Sequence, residues 1–287
     1  MIEVLPVNMS FHQKLKKAAV LGGLGVAAVS VPLFLIAPGA ATKRQKAPFV
    51  GRNFAHRGLH SEDKSVPENS LEAFRLAGRA GYGAELDVHL TKDGQVVVFH
   101  DDTLDRMCGV PGRVEEKSYD ELKLLTLCGT NQRIPLLTEA LEVYGGRGPL
   151  IVELKTGSRS RELCEKTYAI LSEYPGQVCV ESFDPFILRW FRFHAKDLLR
   201  GQLAARRRDY GGAVTPLKAF LLSHCLLNFI SRPQFIAYRL GCRPPTVRLA
   251  EALGALRFGW TAHNERAERH RDGVLFEFYR PQRIYKQ

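Results

Sequence analysis

The sequence predicts an α/β chain: a (β/α)8 TIM barrel with a small insertion after the second strand, preceded by an N-terminal transmembrane helix. Three observations lead there. From residue 50 onward strand-like and helix-like segments alternate, which is the mark of a parallel α/β architecture. Roughly 235 residues remain for them, near the about 250 that such a barrel takes. Ahead of them, from Ala18 to Ala41, 24 residues carry no charge, and about 20 apolar residues suffice to cross a bilayer.

Residues 1–49 are read as anchor and linker, 50–287 as the barrel. Lys14, Lys16 and Lys17 precede the uncharged run and Lys43, Arg44 and Lys46 follow it, so the distribution of positive charge assigns no orientation. A single-pass anchor is expected, on an unassigned side of the membrane. A cleaved signal peptide ending at the small residues Gly39, Ala40 and Ala41 is the rival reading.

The strand candidates follow in order: Asn53–His56, Ala84–Val88, Leu150–Lys155, Val178–Phe183, Leu199–Leu203, Phe235–Arg239, Leu256–Thr261 and Gly273–Glu277. Helical patterns lie between them, including SLEAFRLAGRAG, RELCEKTYAILSEY and DPFILRWFRFHA, several opened by a Ser, Asp, Asn or Pro start signal. Val96–His100 is excluded from the barrel. Only Thr91-Lys92-Asp93-Gly94 separates it from its predecessor, and Asp-Gly favours a hairpin, whereas parallel neighbours need a crossover of about a dozen residues. Residues from about 91 to 134 are therefore an insertion that folds over the barrel mouth and delivers His100 from the side. The apolar run 216–230 is expected to be a barrel helix, with a surface that meets lipid or acyl chains as the alternative.

Composition narrows the partners. A hydrophobic content of 45% excludes a disordered chain, and 41 basic against 30 acidic residues, net +11, suit an anionic partner. The six cysteines form no C-x-x-C pair, so neither a zinc ribbon nor a disulfide framework is expected. WFRFHAK interleaves basic and aromatic residues, but helical spacing sends Trp190, Phe191 and Phe193 to the core, and no nucleic acid is expected.

Strand periodicity puts Glu85 and Asp87 on one face, with His89 further out as a rim residue, and likewise Glu153 with Lys155. Strand ends converge at one mouth, where barrel enzymes keep their chemistry. Three carboxylates meeting there repel one another unless a hard cation joins them, and an all-oxygen set suits Mg²⁺ or Ca²⁺. His56 and Arg57 end the first strand at the same mouth. Two histidines can divide general acid and base work while Arg57 and Lys155 hold phosphate oxygens. This is an inventory for cleaving a phosphate ester.

The segments AHRG, PENSLEAF, ELDVHLTKDG, VFHDDTLDR, IVELK and ESFDP, in this order, resemble the glycerophosphodiester phosphodiesterase family, over about residues 52 to 280. The resemblance implies a barrel with one divalent cation, Mg²⁺ or Ca²⁺, that hydrolyses glycerophosphodiesters to glycerol 3-phosphate and an alcohol. On matching positions it implies Glu85, Asp87 and Glu153 as metal ligands and His56 and His100 as the acid/base pair. Arg57 and Lys155 would bind phosphate, Glu68 would support the site, and Trp260 would stand as a wall against the substrate; Phe183, counted with the substrate contacts, and Glu181 also end a strand, and for both a place in the core stays open. Glu277 stands where an aspartate is common among relatives and is expected to bear on substrate shape rather than bond cleavage. Two further readings stay open: a lysophospholipase D acting on lysophospholipids, and a catalytically idle phospholipid-binding protein.

Overall fold

The computed structural model describes residues 30–212 and 214–286. Helical residues 30–36, called α1, and α2 (Lys43–Lys46) precede β1 (Arg52–Ala55), α3 (Leu71–Ala80) and β2 (Gly83–Leu90). The inserted β3 (Val96–Val98), α4 (Asp105–Cys108) and α5 (Tyr119–Leu122) come next. Then follow α6 (Leu137–Tyr144), β4 (Leu150–Leu154), α7 (Ser160–Ser172), β5 (Val178–Ser182), α8 (Pro185–His194) and β6 (Arg200–Ala204). The chain ends with α9 (Pro216–Ser223), α10 (Asn228–Ser231), β7 (Phe235–Arg239), α11 (Pro245–Ala252), β8 (Leu256–Ala262) and β9 (Gly273–Phe276). Every strand expected from sequence is present.

Strands β1, β2 and β4 to β9 pair in parallel, and the β1–β2 and β1–β9 ladders close them into an eight-stranded barrel. Beyond the barrel, β2 pairs with β3 in antiparallel fashion. The Asp93-Gly94 turn explains this reversal. Thr91 Oγ1 accepts from the Gln95 N–H and donates to Asp93, while Gly94 takes a φ of 80°, open to glycine at no steric cost. The insertion closes over its own core of Val97, Phe99, Leu104, Met107, Val114, Leu122, Leu127 and Ile134.

Period-two alternation sorts each strand. Outward residues such as Leu86, Val88, Val152, Leu154 and Val180 join the cluster under the helices. Inward residues start apolar at the floor and end ionisable at the mouth: Phe54 then His56, Ile151 then Glu153, Cys179 then Glu181. Phe54, Phe235 and Phe258 fill the floor, with Phe235 and Phe258 centroids 4.6 Å apart. A Cβ at Gly201 would lie 1.9 Å from the Phe235 ring, so only glycine fits there.

Two segments differ from the sequence-based expectation. Helix α1 ends on the barrel: Ile36 is fully buried with Ala204, Ile236 and Tyr238, and the Gly39 N–H donates to the Pro233 carbonyl. The end of the uncharged run thus packs on protein through Ile36, while Val31 and Phe34 stay exposed. No helix among the described residues is long and apolar enough to cross a membrane, and 18–29 lie outside them. Residues drawn as linker also pack here, Phe49 sealing the floor against Phe54. The run 216–230 is two helices rather than one. The buried Tyr238 hydroxyl sits between the Ala205 and Ser223 carbonyls, at 3.1 and 3.2 Å, and the second is an acceptor that an unbroken helix would use itself.

Candidate active site at the barrel mouth

Register determines which side chains meet. Asp87, Glu153 and Glu181 are Cα partners across β2, β4 and β5, so three carboxylates form one layer inside the mouth. Glu85 lies one inward position below Asp87. All four are buried. Oxygens of Glu85, Asp87 and Glu153 lie within 4.8 Å of one another. Lys155 bridges this layer, its Nζ 2.8 Å from Asp87 and 2.7 Å from Glu153.

Burial and crowding act differently on each acid. Desolvation and then the neighbouring Asp87, Glu153 and Glu181 charges push Glu85 well above the ordinary carboxylate range. Glu181 is pushed up in the same way, and Glu153 moves up as burial outweighs Lys155. Burial would also raise Asp87, but Lys155, His100 and Arg57 outweigh it and hold it well below the usual range. Glu85 Oε1 is buried without a hydrogen-bond partner. A mutually repelling, all-oxygen set with an unused buried lone pair fits a hard divalent cation.

The PENS segment braces the layer. Asn69 Nδ2 donates to Asp87 Oδ2 at 2.8 Å, and Ser70 caps α3 by accepting from the Ala73 N–H. Arg57, at a left-handed φ of 55°, donates its backbone N–H to Glu85 Oε2 and its Nη1 to Glu68 Oε1 at 2.7 Å. Glu68 in turn accepts from Arg106 at 2.8 and 3.0 Å. These arginines outweigh burial and lower its carboxyl to about 2.

Each histidine is held at Nδ1 by a carboxylate. His56 Nδ1 is 2.6 Å from Glu277 Oε1, and its Nε2 is 3.8 Å from Glu85 Oε2. Burial and then the Arg57 charge lower His56 below its ordinary 6.5, keeping the ring neutral at neutral pH. Glu277, also 3.5 Å from His60 Nε2, is held well below the carboxylate range by both histidines against the opposing effect of burial. His100 Nδ1 is 2.7 Å from Asp101 Oδ1, and Arg106 Nε is 2.6 Å from Asp101 Oδ2. The Phe99 N–H, donating to the Asp87 carbonyl, sets His100 against the acidic layer.

The structure brings the expected acids, Arg57, Lys155 and Glu68 together at the mouth with both histidines beside them, and differs from expectation at two residues. Glu277, expected to bear on substrate shape, touches His56 directly: Ala55 pairs with Phe276, and the next residues are His56 and Glu277. Barrel closure, which makes the last strand the neighbour of the first, was the signal that could have found it. His89 is not a rim residue: it is buried beneath the insertion, with Nε2 3.3 Å from the His100 carbonyl. Asn69, Asp101, Arg106 and His60 were missed. Trp260 and Phe183 stand across the mouth, edge to face at 5.8 Å, and line a cleft of about 280 Å³ with Tyr210, Val214 and Leu222.

Comparison with known proteins places these residues in context. Residues 56–277 match the family model of the Glycerophosphoryl diester phosphodiesterase family. A glycerophosphodiester phosphodiesterase of Caldanaerobacter subterraneus subsp. tengcongensis is 37% identical over 161 residues, 52% of this chain and 65% of that protein. A lysophospholipase D of Rattus norvegicus is 34% identical over 168 residues, 54% of this chain and 51% of that protein. The aligned stretches thus cover half to two thirds of these relatives. The same fold occurs in an Oleispira antarctica phosphodiesterase solved in complex with the product sn-glycerol-3-phosphate (TM-score 0.65, 24% identity, 80% of this chain and 94% of that one).

Proposed function

The chain belongs to the glycerophosphoryl diester phosphodiesterase family, and from that premise we propose that it hydrolyses glycerophosphodiesters to glycerol 3-phosphate and an alcohol. The observation that carries this reading is the pair of histidines, each braced at Nδ1 by a carboxylate, beside a buried acidic layer flanked by Arg57 and Lys155. The chemistry needs a proton removed at one oxygen and supplied at another.

His56, lowered by burial, offers an unprotonated Nε2 while Nδ1–H donates to Glu277, and it is the general base that takes a proton from the attacking water. His100 is the general acid. Asp101 holds its Nδ1 at 2.7 Å, which leaves Nε2 to give a proton to the departing alcohol oxygen as the ester P–O bond breaks. Arg57 and Lys155 hold the phosphate oxygens that gain charge. Glu85, Asp87 and Glu153 would hold the divalent cation, Mg²⁺ or Ca²⁺, which when bound polarises the phosphoryl group as a Lewis acid. Trp260 and Phe183 contact the part of the substrate beyond the phosphate.

The test is turnover of glycerophosphocholine with Mg²⁺, Ca²⁺ or a chelator. Release of glycerol 3-phosphate with at least one cation, lost on chelation, is the expected result; no release with either cation sinks the reading. Lysophospholipase D activity is the second reading, favoured by the apolar cleft of Phe183, Tyr210, Val214, Leu222 and Trp260. Turnover of lysophosphatidylcholine decides it. For localisation we propose that the uncharged run beginning at Ala18 holds the chain at a membrane.

A further inference from the structure

The β5–β8 side of the mouth carries features that the proposed hydrolysis leaves unused. After β6 the chain makes a short helical turn, Arg207–Tyr210, which packs beside α9. On α9, Leu217 and Phe220 are three residues apart and so share one face; they are 68% and 40% exposed. Large apolar side chains left in water beside one another signal a partner. Their surroundings are basic: Arg206, Arg207 and Arg208 on the turn, Lys218 between the two apolar residues, and Arg239 at the end of β7. Asp209 is shared by Arg206, Arg239 and, at 4.0 Å, Arg208, whereas Arg207 and Lys218 have no ion-pair partner among the described residues. Lys218, Arg239 and Leu222 also line the cleft that Trp260 and Phe183 close on the site side.

Farther along the chain, α10 and its C-cap residue Arg232 meet the N-terminal segment. Helix α1 packs there, Phe34 on Phe229 at 5.8 Å and under the Arg232 guanidinium at 4.7 Å. Its outer residues Val31 and Phe34 are each 56% exposed. This helix is where the uncharged sequence run 18–41 enters the described structure, and the run reaches the barrel at its floor end, where the Gly39 N–H donates to the Pro233 carbonyl just before β7.

We propose that this face, centred on α9 and the Arg206–Arg208 turn, docks the barrel on an anionic lipid surface. Leu217 and Phe220 enter the acyl boundary while Arg207, Arg208 and Lys218 contact lipid phosphates, an arrangement typical of interfacial helices. Docked this way, the cleft opens on the lipid. The docking does not depend on which diester is cleaved, so it and the proposed hydrolysis stand or fall separately.

The test uses the full chain reconstituted in vesicles of phosphatidylcholine and phosphatidylglycerol with brominated acyl chains. In a Cys242→Ser background, a fluorophore is attached at Phe220→Cys or, as a control on the opposite end of the barrel, at Glu173→Cys. Bromine quenching at 220 and none at 173 is expected. Neutralising Arg207, Arg208 and Lys218 to Gln is expected to lower the docking equilibrium about fivefold per charge, about a hundredfold together, and to abolish the quenching at 220. A label at 220 that stays as unquenched as one at 173 overturns the proposal, as does quenching that survives the triple substitution. Glycerophosphocholine turnover, measured on the same preparations, reports on the hydrolysis alone.

Discussion

The two histidines stand on foundations of different kinds. His56 ends β1 inside the barrel, its side chain 10% exposed, and its carboxylate comes from the end of β9, 221 residues away. His100 rides on the insertion, 31% exposed, and its carboxylate is the next residue in the chain, steadied by Arg106 from the same insertion. One foundation is the closed sheet, whose strands cannot shift without breaking ladders on both sides. The other is a small apolar cluster that meets the barrel along one strand pair and a few bridging contacts. A site so built has a rigid half and a half that can yield independently.

The sharpest way to probe that contrast is to remove each imidazole. His56→Ala and His100→Ala are each expected to lower kcat/KM for glycerophosphocholine by about 10²–10⁴-fold, with unchanged circular dichroism. Near-normal turnover in either would remove that histidine from the mechanism. A core truncation in the insertion comes next. Leu104→Ala is expected to cost about 2–5 kcal/mol of local stability. Amide exchange should rise across 96–134 while β5 to β8 stay protected; uniform acceleration would mean that insertion and barrel open as one unit.

Glu277→Gln addresses the rigid half more gently, with an expected loss of about tenfold in kcat, a small part of what a misoriented base can cost. The direction in pH is the telling part. Only neutral His56 can accept a proton, so the acid limb of the rate profile should lie below 6.5; Glu277 favours the charged ring, and its loss should move that limb to still lower pH. A limb moving upward would contradict the contact. The smallest effect concerns Glu68, lowered from 4.5 to about 2. Its folded-state pKa is depressed, so its contribution is present above about 4.5 and lost as pH falls through about 2. Arg106 is 42% exposed, and solvent screening limits the effect to about 1 kcal/mol. Urea melts of Glu68→Gln and the parent should converge near pH 2 and separate at pH 7.

Local signals made most of the site legible. Glu85, Asp87 and Glu153 were readable because a strand's period of two sends alternate residues to one face, and His100 because Asp93-Gly94 forces a hairpin. The helix break at 223–228 was not readable, since the hydroxyl that reaches the Ser223 carbonyl belongs to Tyr238, a strand later. The packing of Ile36 and Phe49 was hidden for a similar reason: an apolar residue reads alike whether it meets lipid or protein.

Composition and periodicity by themselves determined the eight strands, the inserted hairpin and the ionisable ends of the inward-facing lines, because each depends on residues only a few positions apart. Tertiary structure decided the partnerships. Glu277 meets His56 only because the last strand closes against the first, Glu68 meets Arg106 only because the insertion folds back over the first loop, and Glu181 joins the acidic layer only through the register of β4 and β5. A strand dictates which way its side chains point, but which charge they meet depends on closure and register, and those are settled by the packing of the whole barrel.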